Sequence, residues 1–295
     1  MSAPVPAPLI SAADLGRRLQ DPAARTLVAD CSFDLADLAA GRRAYDAGHL
    51  PGAVHVHLEE VLSGAKTGRN GRHPLPERAA FARAMAALGV DDDMLVVACD
   101  NSGGMYAARL WWLLRWAGHA AAAVLDGGIA AWTAEGLPLP TSSASPSGAR
   151  VRAAGSFRLR ESLAPVADCD AVRANLDGRE RLLIDARAPD RFRGENETLD
   201  PVGGHIPGAR NRLFRDNLRA DGRFKPSAQL RAEFDRLLAG RPAAAVISQC
   251  GSGVTACHNL LALELAGLHG AALYPGSWSE WCAQPGAPIA TGDER

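Results

Sequence analysis

Lysine, aromatic residues and net charge are all scarce in this sequence. Of its 32 basic residues only Lys66 and Lys225 are lysines, aromatic residues make up 5% of the 295 positions, and the formal net charge is −1. A chain without an excess of positive charge has no general attraction for nucleic acid or for an anionic membrane surface. We therefore expect neither of them as a partner.

Long apolar runs and paired cysteines are also missing. No run approaches the ~18–20 apolar residues that cross a bilayer, and residues 1–16 lack the basic and apolar segments of a secretory signal. The six cysteines show no Cys-x-x-Cys spacing, which predicts neither a disulfide scaffold nor a metal site. We expect a cytoplasmic protein with reduced thiols.

Segments of the first half of the chain return in the second half in the same order. AGHLPGAVHV (47–56) returns as GGHIPGARNR (203–212), and LVADCSF (27–33) returns as LLIDARA (182–188). The offset is nearly constant, and each unit is as long as a domain and too long for a solenoid repeat. The sequence therefore predicts two similar domains.

The predicted boundaries follow composition. Residues 1–140 form the N-terminal domain and residues 157–295 the C-terminal domain. Residues 141–156 are rich in Ser, Ala, Pro and Gly without an apolar period, which indicates a linker.

Short apolar runs alternate with helical segments in both halves. The runs include LVVA (95–98) and AAVIS (244–248), and the helical segments 76–89 and 227–240 both stop at glycine. This alternation predicts an α/β fold in which each domain is a mainly parallel sheet flanked by helices. Sites in such sheets form where strands end and loops lead into helices.

One strand-to-helix turn, QCGSGVTAC, has the composition of a nucleophile loop. Gly251 and Gly253 allow the backbone to approach a bound group closely. The amides of these glycines, of Val254 and of Thr255, at the start of the next helix, favour an anion. We therefore predict that Cys250 is a thiolate nucleophile and that this loop binds the substrate.

A buried cysteine in a purely structural role would also fit this position. The first half, however, keeps the same strand, turn and helix in VVACDNSGGMYAARLWW with Asp100 in place of the cysteine. The fold therefore does not require a thiol there, which favours a chemical role for Cys250. A phosphatase of the Cys-x5-Arg type is excluded, because Ala256 stands where the arginine is needed. Cys257 and Cys99 are expected to be packing residues.

These segments resemble the rhodanese superfamily, specifically its tandem-domain sulfurtransferases. The resemblance spans nearly the whole chain through GHLPGA, GHIPGA, the DGG…W and PGSWSEW segments, and CGSGVTAC. It implies two tandem rhodanese-like domains, an inactive N-terminal one with Asp100 and a catalytic C-terminal one with Cys250. It also implies that Cys250 takes a sulfur from a donor as a persulfide and passes it to cyanide, a thiol or a protein acceptor, without a metal or an organic cofactor.

The donor is implied by the residues after the nucleophile. Family members that use thiosulfate carry basic residues there, whereas Gly251 and Ser252 are neutral and resemble the loop of members that use 3-mercaptopyruvate. Thiosulfate stays open as an alternative donor. A non-catalytic persulfide carrier or interaction module is a second alternative.

Further site residues come from the same resemblance. Ser252, His73 and Glu59 match a proposed relay that protonates the pyruvate product. His73 could instead be a surface-loop histidine, and Glu59 a solvated carboxylate at a helix start.

An anion-binding residue is also implied. Arg191, in DARAPDRFRG, matches the arginine that pairs with the acidic group of the donor, and a guanidinium suits such a group. A second arginine is expected about nine residues later, where this sequence has Asp200, although Arg193 could compensate.

Overall fold

The computed structural model describes residues 7–142 and 153–293. They fall into two compact units. Unit 1 comprises residues 1–63, 76–163 and 220–223, and unit 2 comprises residues 64–75, 164–219 and 224–295. The predicted linker lies largely outside the described residues.

Unit 1 is built on a five-stranded sheet. Its strands are β1 (Leu9–Ile10), β2 (Thr26–Asp30), β3 (Val54–His55), β4 (Leu95–Cys99) and β5 (Ala122–Leu125). Its helices are α1 (Ala12–Gln20), α2 (Ala40–Ala47), α3 (Arg78–Ala87), α4 (Ala107–Trp116) and α5 (Gly128–Ala134).

Unit 2 repeats this plan on a four-stranded sheet. Its strands are β6 (Leu182–Asp185), β7 (Arg210–Asn211), β8 (Val246–Gln249) and β9 (Ala272–Leu273). Its helices are α6 (Cys169–Gly178), α7 (Pro189–Arg193), α8 (Ser227–Leu238), α9 (Thr255–Leu265) and α10 (Ser277–Trp281), with 3₁₀ turns at Phe214–Asn217 and Ala243–Ala245.

The two sheets share one topology. The strand order is β1-β5-β4-β2-β3 in unit 1 and β7-β6-β8-β9 in unit 2, and all strand pairs are parallel. Parallel neighbours need a crossover, and the alternating helices supply it. The predicted α/β class, with parallel sheets flanked by helices, is confirmed.

Burial follows the predicted periodicity. Strand β4 and strand β8 are buried along their whole length, as expected of central strands covered on both faces. In helix α8 the buried residues Leu230, Phe234 and Leu238 recur every four positions and form its core-facing stripe. None of the helices in the described ranges is long and apolar enough to span a bilayer.

The compact units and the predicted boundaries differ at three places, and the shortest of the three is segment 220–223, which lies with unit 1. Residues 157–163 lie with unit 1, because Phe157 packs its ring edge-on against Phe81 and its amide donates to the carbonyl of Val90. Residues 64–75 lie with unit 2, although they precede helix α3 of unit 1 in the chain. This segment brings two side chains to the site.

Candidate active site

Cys250 lies directly after strand β8, in the turn that leads into helix α9. The residue is buried, with 2% of its surface exposed. Gly253 in this turn has φ 75°, and a Cβ atom there would lie 2.4 Å from the carbonyl oxygen of Pro275. Glycine is therefore required at position 253 both by the backbone conformation and by the close approach of the neighbouring chain.

The residues that follow strand β9 hold the turn in place. The amide of Cys250 donates to Ser277 Oγ at 3.1 Å, and the amide of Trp278 donates to the carbonyl of Cys250 at 2.9 Å. The amide of Ser279 donates to the carbonyl of Gly251, also at 2.9 Å. These bonds satisfy buried backbone groups and fix Cys250 at the carboxyl end of the sheet.

The corresponding turn in unit 1 already holds an anion. The carboxylate of Asp100, which is 1% exposed, accepts hydrogen bonds from four backbone amides. These amides, at 2.8–2.9 Å, belong to Ser102, Gly104, Tyr106 and Ala107. A turn of this design therefore binds negative charge through its backbone, as a nest of amides at a helix start does.

Three arginine side chains converge on Gly251, the residue after Cys250. A Cβ atom at Gly251 would lie 2.9 Å from Nη2 of Arg72 and 3.7 Å from Nη2 of Arg191. It would also lie 3.9 Å from Cδ of Arg187. A side chain at this position would push against Arg72, so the glycine leaves room for the arginine beside the loop.

Arg187 is the most deeply buried of the three. Its guanidinium lies over the ring of Trp278 at 4.6 Å and pairs with the carboxylate of Asp185 at 2.7 Å. Burial opposes its charge, but Asp185, Glu197 and the nearby Cys250 hold the pKa of Arg187 above its ordinary value. Arg187 thus places a fixed positive charge near Cys250.

Arg191 and Arg72 are held by two carboxylates. Arg191 donates from Nε and Nη2 to Glu197 at 3.0 and 2.8 Å and reaches Asp200 at 3.3 Å. Arg72 donates from Nη1 to Asp200. Asp200 thus stands between the two arginines, at the position where the family resemblance implies a second arginine.

The charges of this cluster balance when all its members are ionised. Arg72, Arg187 and Arg191 face three carboxylates, those of Asp185, Glu197 and Asp200. Burial raises the pKa of Asp200 in spite of Arg72 and Arg191. Burial also acts on Glu197, but its hydrogen bonds, above all the one from Arg191, hold the pKa of Glu197 below its ordinary value.

The predicted relay residues are brought together in part. Nδ1 of His73 is hydrogen-bonded to Ser252 Oγ at 2.8 Å, and both side chains are buried. The alternative that His73 is a surface-loop histidine is therefore wrong. Glu59 belongs to unit 1, where its amide donates to Nδ1 of His57, so its part in a relay stays a prediction.

Two further residues of the sequence analysis, Cys257 and Arg193, have contacts of another kind. Cys257 is fully buried and donates from Sγ to the carbonyl of Gly253 at 3.3 Å, which fits a packing role. Arg193 pairs with Glu195 at 2.8 Å, and the third guanidinium beside the loop is Arg72 instead.

Sequence reasoning missed Arg72, Arg187 and Glu197. Arg72 directly precedes His73, and Arg187 lies in the same DARAPDRFRG segment as Arg191. This adjacency was the available signal. The sequence around Arg72 and Arg187 does not, however, distinguish an arginine in a site from one on the surface.

Comparison with known proteins agrees with this architecture. The model of the Rhodanese-like domain matches residues 11–135 and 168–284. A probable 3-mercaptopyruvate sulfurtransferase of Pseudomonas aeruginosa is 46% identical over 97% of this chain and 99% of its own length. A putative thiosulfate sulfurtransferase of Mycobacterium tuberculosis is 37% identical over 96% of this chain and 97% of its own.

A solved structure has the same fold over almost the entire chain. The 3-mercaptopyruvate sulfurtransferase from Leishmania major superposes with a TM-score of 0.84 at 28% identity, covering 97% of this chain and 78% of the other. The predicted family and enzyme class are confirmed by these similarities. The chain therefore belongs to the rhodanese family, as a tandem-domain sulfurtransferase.

Proposed function

We propose that this sulfurtransferase moves a sulfur atom from 3-mercaptopyruvate to a thiol, cyanide or protein acceptor through a persulfide on Cys250. The observation that carries the choice of donor is the buried hydrogen bond between Ser252 and His73. It places an imidazole against the hydroxyl of Ser252, two residues after the nucleophile, where a carbon leaving group needs a proton. The relatives named as 3-mercaptopyruvate sulfurtransferases support the same donor.

The first half-reaction forms the persulfide. The thiolate of Cys250 attacks the sulfur of 3-mercaptopyruvate, the new sulfur–sulfur bond forms, and the carbon–sulfur bond breaks with its electron pair on carbon. The resulting enolate of pyruvate takes a proton that Ser252 passes on, with His73 restoring the proton to the hydroxyl. Glu59 is the proposed acid behind His73.

The second half-reaction returns the free thiolate. A thiolate or cyanide attacks the outer sulfur of the persulfide, and Cys250 leaves as the thiolate. Two half-reactions that share one covalent intermediate predict ping-pong kinetics. The amides of the loop, at Gly251, Gly253, Val254 and Thr255, are proposed to hold the outer sulfur and the donor.

Positive charge beside the loop is proposed to bind the acidic group of the donor. Arg191 has its Nη2 atom 3.7 Å from a Cβ position at Gly251, next to the nucleophile. Arg187 supports the thiolate electrostatically and, being buried, has a structural role towards Trp278 as well.

Thiosulfate is the alternative donor. The loop has no basic side chain of its own, but Arg72, Arg187 and Arg191 supply guanidinium groups from other elements. These charges are balanced by three carboxylates, so a dianion gains less than it would from unpaired arginines. The expected order of preference is therefore 3-mercaptopyruvate before thiosulfate.

The compartment is proposed from the thiols. All six cysteines are free. A reduced state is typical of the cytoplasm, and we propose that location, with neither nucleic acid nor a membrane as partner.

Comparison of the two donors tests the proposal. Formation of thiocyanate from cyanide is measured with each donor over a concentration series, and kcat/KM is expected to be higher for 3-mercaptopyruvate. Cys250→Ser is expected to abolish both reactions, whereas Cys257→Ser retains most of the activity. A higher kcat/KM for thiosulfate would contradict the choice of donor, and activity in Cys250→Ser would contradict the mechanism.

A further inference from the structure

Arg72 is held at both ends beside the nucleophile loop. Its backbone amide donates to Ser279 Oγ at 3.0 Å, and Ser279 is itself bonded to the carbonyl of Gly251. At the other end, Nη1 of Arg72 donates to Asp200 and, at 3.4 Å, to the carbonyl of Leu199. These bonds fix the guanidinium in place and do not use its other edge, which carries Nε and Nη2.

The other edge of this guanidinium has no protein partner. Nε of Arg72 is buried and makes no hydrogen bond, and within the described ranges none reaches Nη2 either. Nε and Nη2 lie on one edge, which is the edge that grips a carboxylate through two parallel bonds. Arg191, by contrast, already has its Nε and Nη2 on Glu197.

This unpaired edge faces the residue next to the nucleophile. Nη2 of Arg72 would lie 2.9 Å from a Cβ atom at Gly251, closer than Nη2 of Arg191 at 3.7 Å. An anion that binds there lies one residue from Cys250. The absence of a side chain at Gly251 leaves room for Nη2 of Arg72 beside the loop.

We propose that Arg72 binds the anionic group of the sulfur donor and that Asp200 positions it for this role. This inference rests on the proposed function, because it needs an anionic donor that reacts at Cys250. The shared chemistry is a planar or tetrahedral group of acidic oxygens, as in the carboxylate of 3-mercaptopyruvate or the sulfonate of thiosulfate. An incoming acidic group supplies the acceptor that the buried Nε atom of Arg72 lacks, so binding offsets the cost of keeping this polar atom away from water.

Binding without turnover tests this role directly. In a Cys250→Ser background, the dissociation constants of pyruvate and of sulfite are measured by calorimetry, with and without Arg72→Ala. Loss of a charge-assisted contact is expected to weaken binding about ten- to hundredfold. Arg72→Lys is expected to recover only part of the affinity, because an ammonium cannot form the two-bond fork.

Arg193→Ala is the matched control. Arg193 carries the same charge on helix α7 but pairs with Glu195, so its removal is expected to leave both dissociation constants unchanged. Thermal melting of each variant establishes that it is folded, and Arg72→Lys keeps the test valid where Arg72→Ala does not fold.

The outcomes separate the two claims. Unchanged binding of both anions in Arg72→Ala and Arg72→Lys overturns the role of Arg72 and leaves the proposed function intact. Binding of sulfite but not pyruvate, lost in Arg72→Ala, supports Arg72 and contradicts 3-mercaptopyruvate as donor. If neither pyruvate nor sulfite binds to the Cys250→Ser protein that still carries Arg72, both the role of Arg72 and the proposed function are overturned.

In the active enzyme the same role predicts a split in the kinetic constants. Arg72→Ala is expected to raise KM for the donor while KM for cyanide stays unchanged, because cyanide reacts after the donor's acidic group has left. An equal rise in both KM values would indicate a merely structural role and would contradict the inference.

Discussion

Asp100 and Cys250 occupy corresponding positions in the two halves of the chain, and their side chains differ in chemistry. In unit 1 the carboxylate accepts from four amides of its own turn. In unit 2 a thiol follows the corresponding strand, and the turn is held from outside by Ser277 and Trp278. One residue thus makes the first turn a closed structural element and leaves the second turn with a thiol.

Asp100→Ala is expected to destabilise the protein. The substitution removes the shared acceptor of four amides, three of them buried, and unsatisfied buried donors cost about 1–3 kcal/mol each before relaxation. Because the turn can relax, we expect the free energy of unfolding to fall by about 2–4 kcal/mol in total. Urea denaturation measures this, with exposed Asn101→Ala as control. Equal stability of the Asp100→Ala and Asn101→Ala variants would contradict the structural role.

Ser252→Ala and His73→Ala are expected to affect one donor more than the other. Each removes a member of the buried pair at 2.8 Å, and only the pyruvate enolate needs a proton as it leaves. We expect kcat/KM for 3-mercaptopyruvate to fall about tenfold or more, with a smaller loss for thiosulfate. Ser102→Ala, at the corresponding position of unit 1, serves as control. Equal losses for both donors would show that the pair does not act in proton transfer.

At the scale of elements, the site is assembled from connections more than from regular structure. The loop after β8 carries Cys250, the segment after β9 braces it, and helix α7 with the residues behind it supplies Arg191, Glu197 and Asp200. Segment 64–75 adds Arg72 and His73. Parallel strands place all the sheet-borne loops at one edge, which is why residues distant in sequence meet there.

Asp200→Asn is expected to move donor preference towards thiosulfate. The substitution keeps an acceptor for Arg72 but removes one of the three carboxylates that balance the arginines. The attraction between one additional positive charge and a nearby negative charge is worth ~1 kcal/mol when solvent screens it well. The ratio of kcat/KM for thiosulfate to that for 3-mercaptopyruvate is therefore expected to rise about fivefold. Glu195→Gln, outside the cluster, is the control, and an unchanged ratio in Asp200→Asn would contradict the charge balance.

A second ionic cluster ties helix α8 to its surroundings. Burial alone would raise the pKa of Glu233, but hydrogen bonds from Arg212, Lys225 and Gln229 lower it to about 2. A carboxyl group whose pKa is lower in the folded state stabilises the fold above its unfolded pKa. That contribution is lost as the pH falls towards the folded value.

Glu233→Gln therefore has an effect that depends on pH. We expect the variant to be less stable than the wild type at pH 7 and the difference to shrink as the pH is lowered from about 4.5 towards 2. Urea denaturation across this range measures it, with exposed Asp235→Asn as control. A difference that stays constant down to the lowest pH at which both proteins fold would contradict the role of the ion pairs.

At the scale of the whole molecule, the duplication was readable from the sequence and the assembly of the site was not. Repeated segments and alternating apolar runs predict two parallel α/β units, because local periodicity decides which segments become strands and helices. Helices α3 and α8 begin and end within two residues of the predicted segments 76–89 and 227–240.

Long-range pairing accounts for what sequence reasoning missed. Arg72 and Asp200 are 128 positions apart, and His73 and Ser252 are 179 positions apart. The second pair was predicted only through family resemblance, and the first was not predicted at all. An arginine that neutralises a buried carboxylate has the same sequence signature as one on the surface.

The intact mass of the protein after treatment with 3-mercaptopyruvate tests the central claim most directly. Transfer of one sulfur to a covalent nucleophile predicts a gain of about 32 Da, localised to Cys250 by peptide mapping, lost again on addition of cyanide and absent in Cys250→Ser. Cys257→Ser is expected to gain the same mass as the wild type. No gain with 3-mercaptopyruvate, or a gain that persists in Cys250→Ser, would contradict sulfur transfer through Cys250.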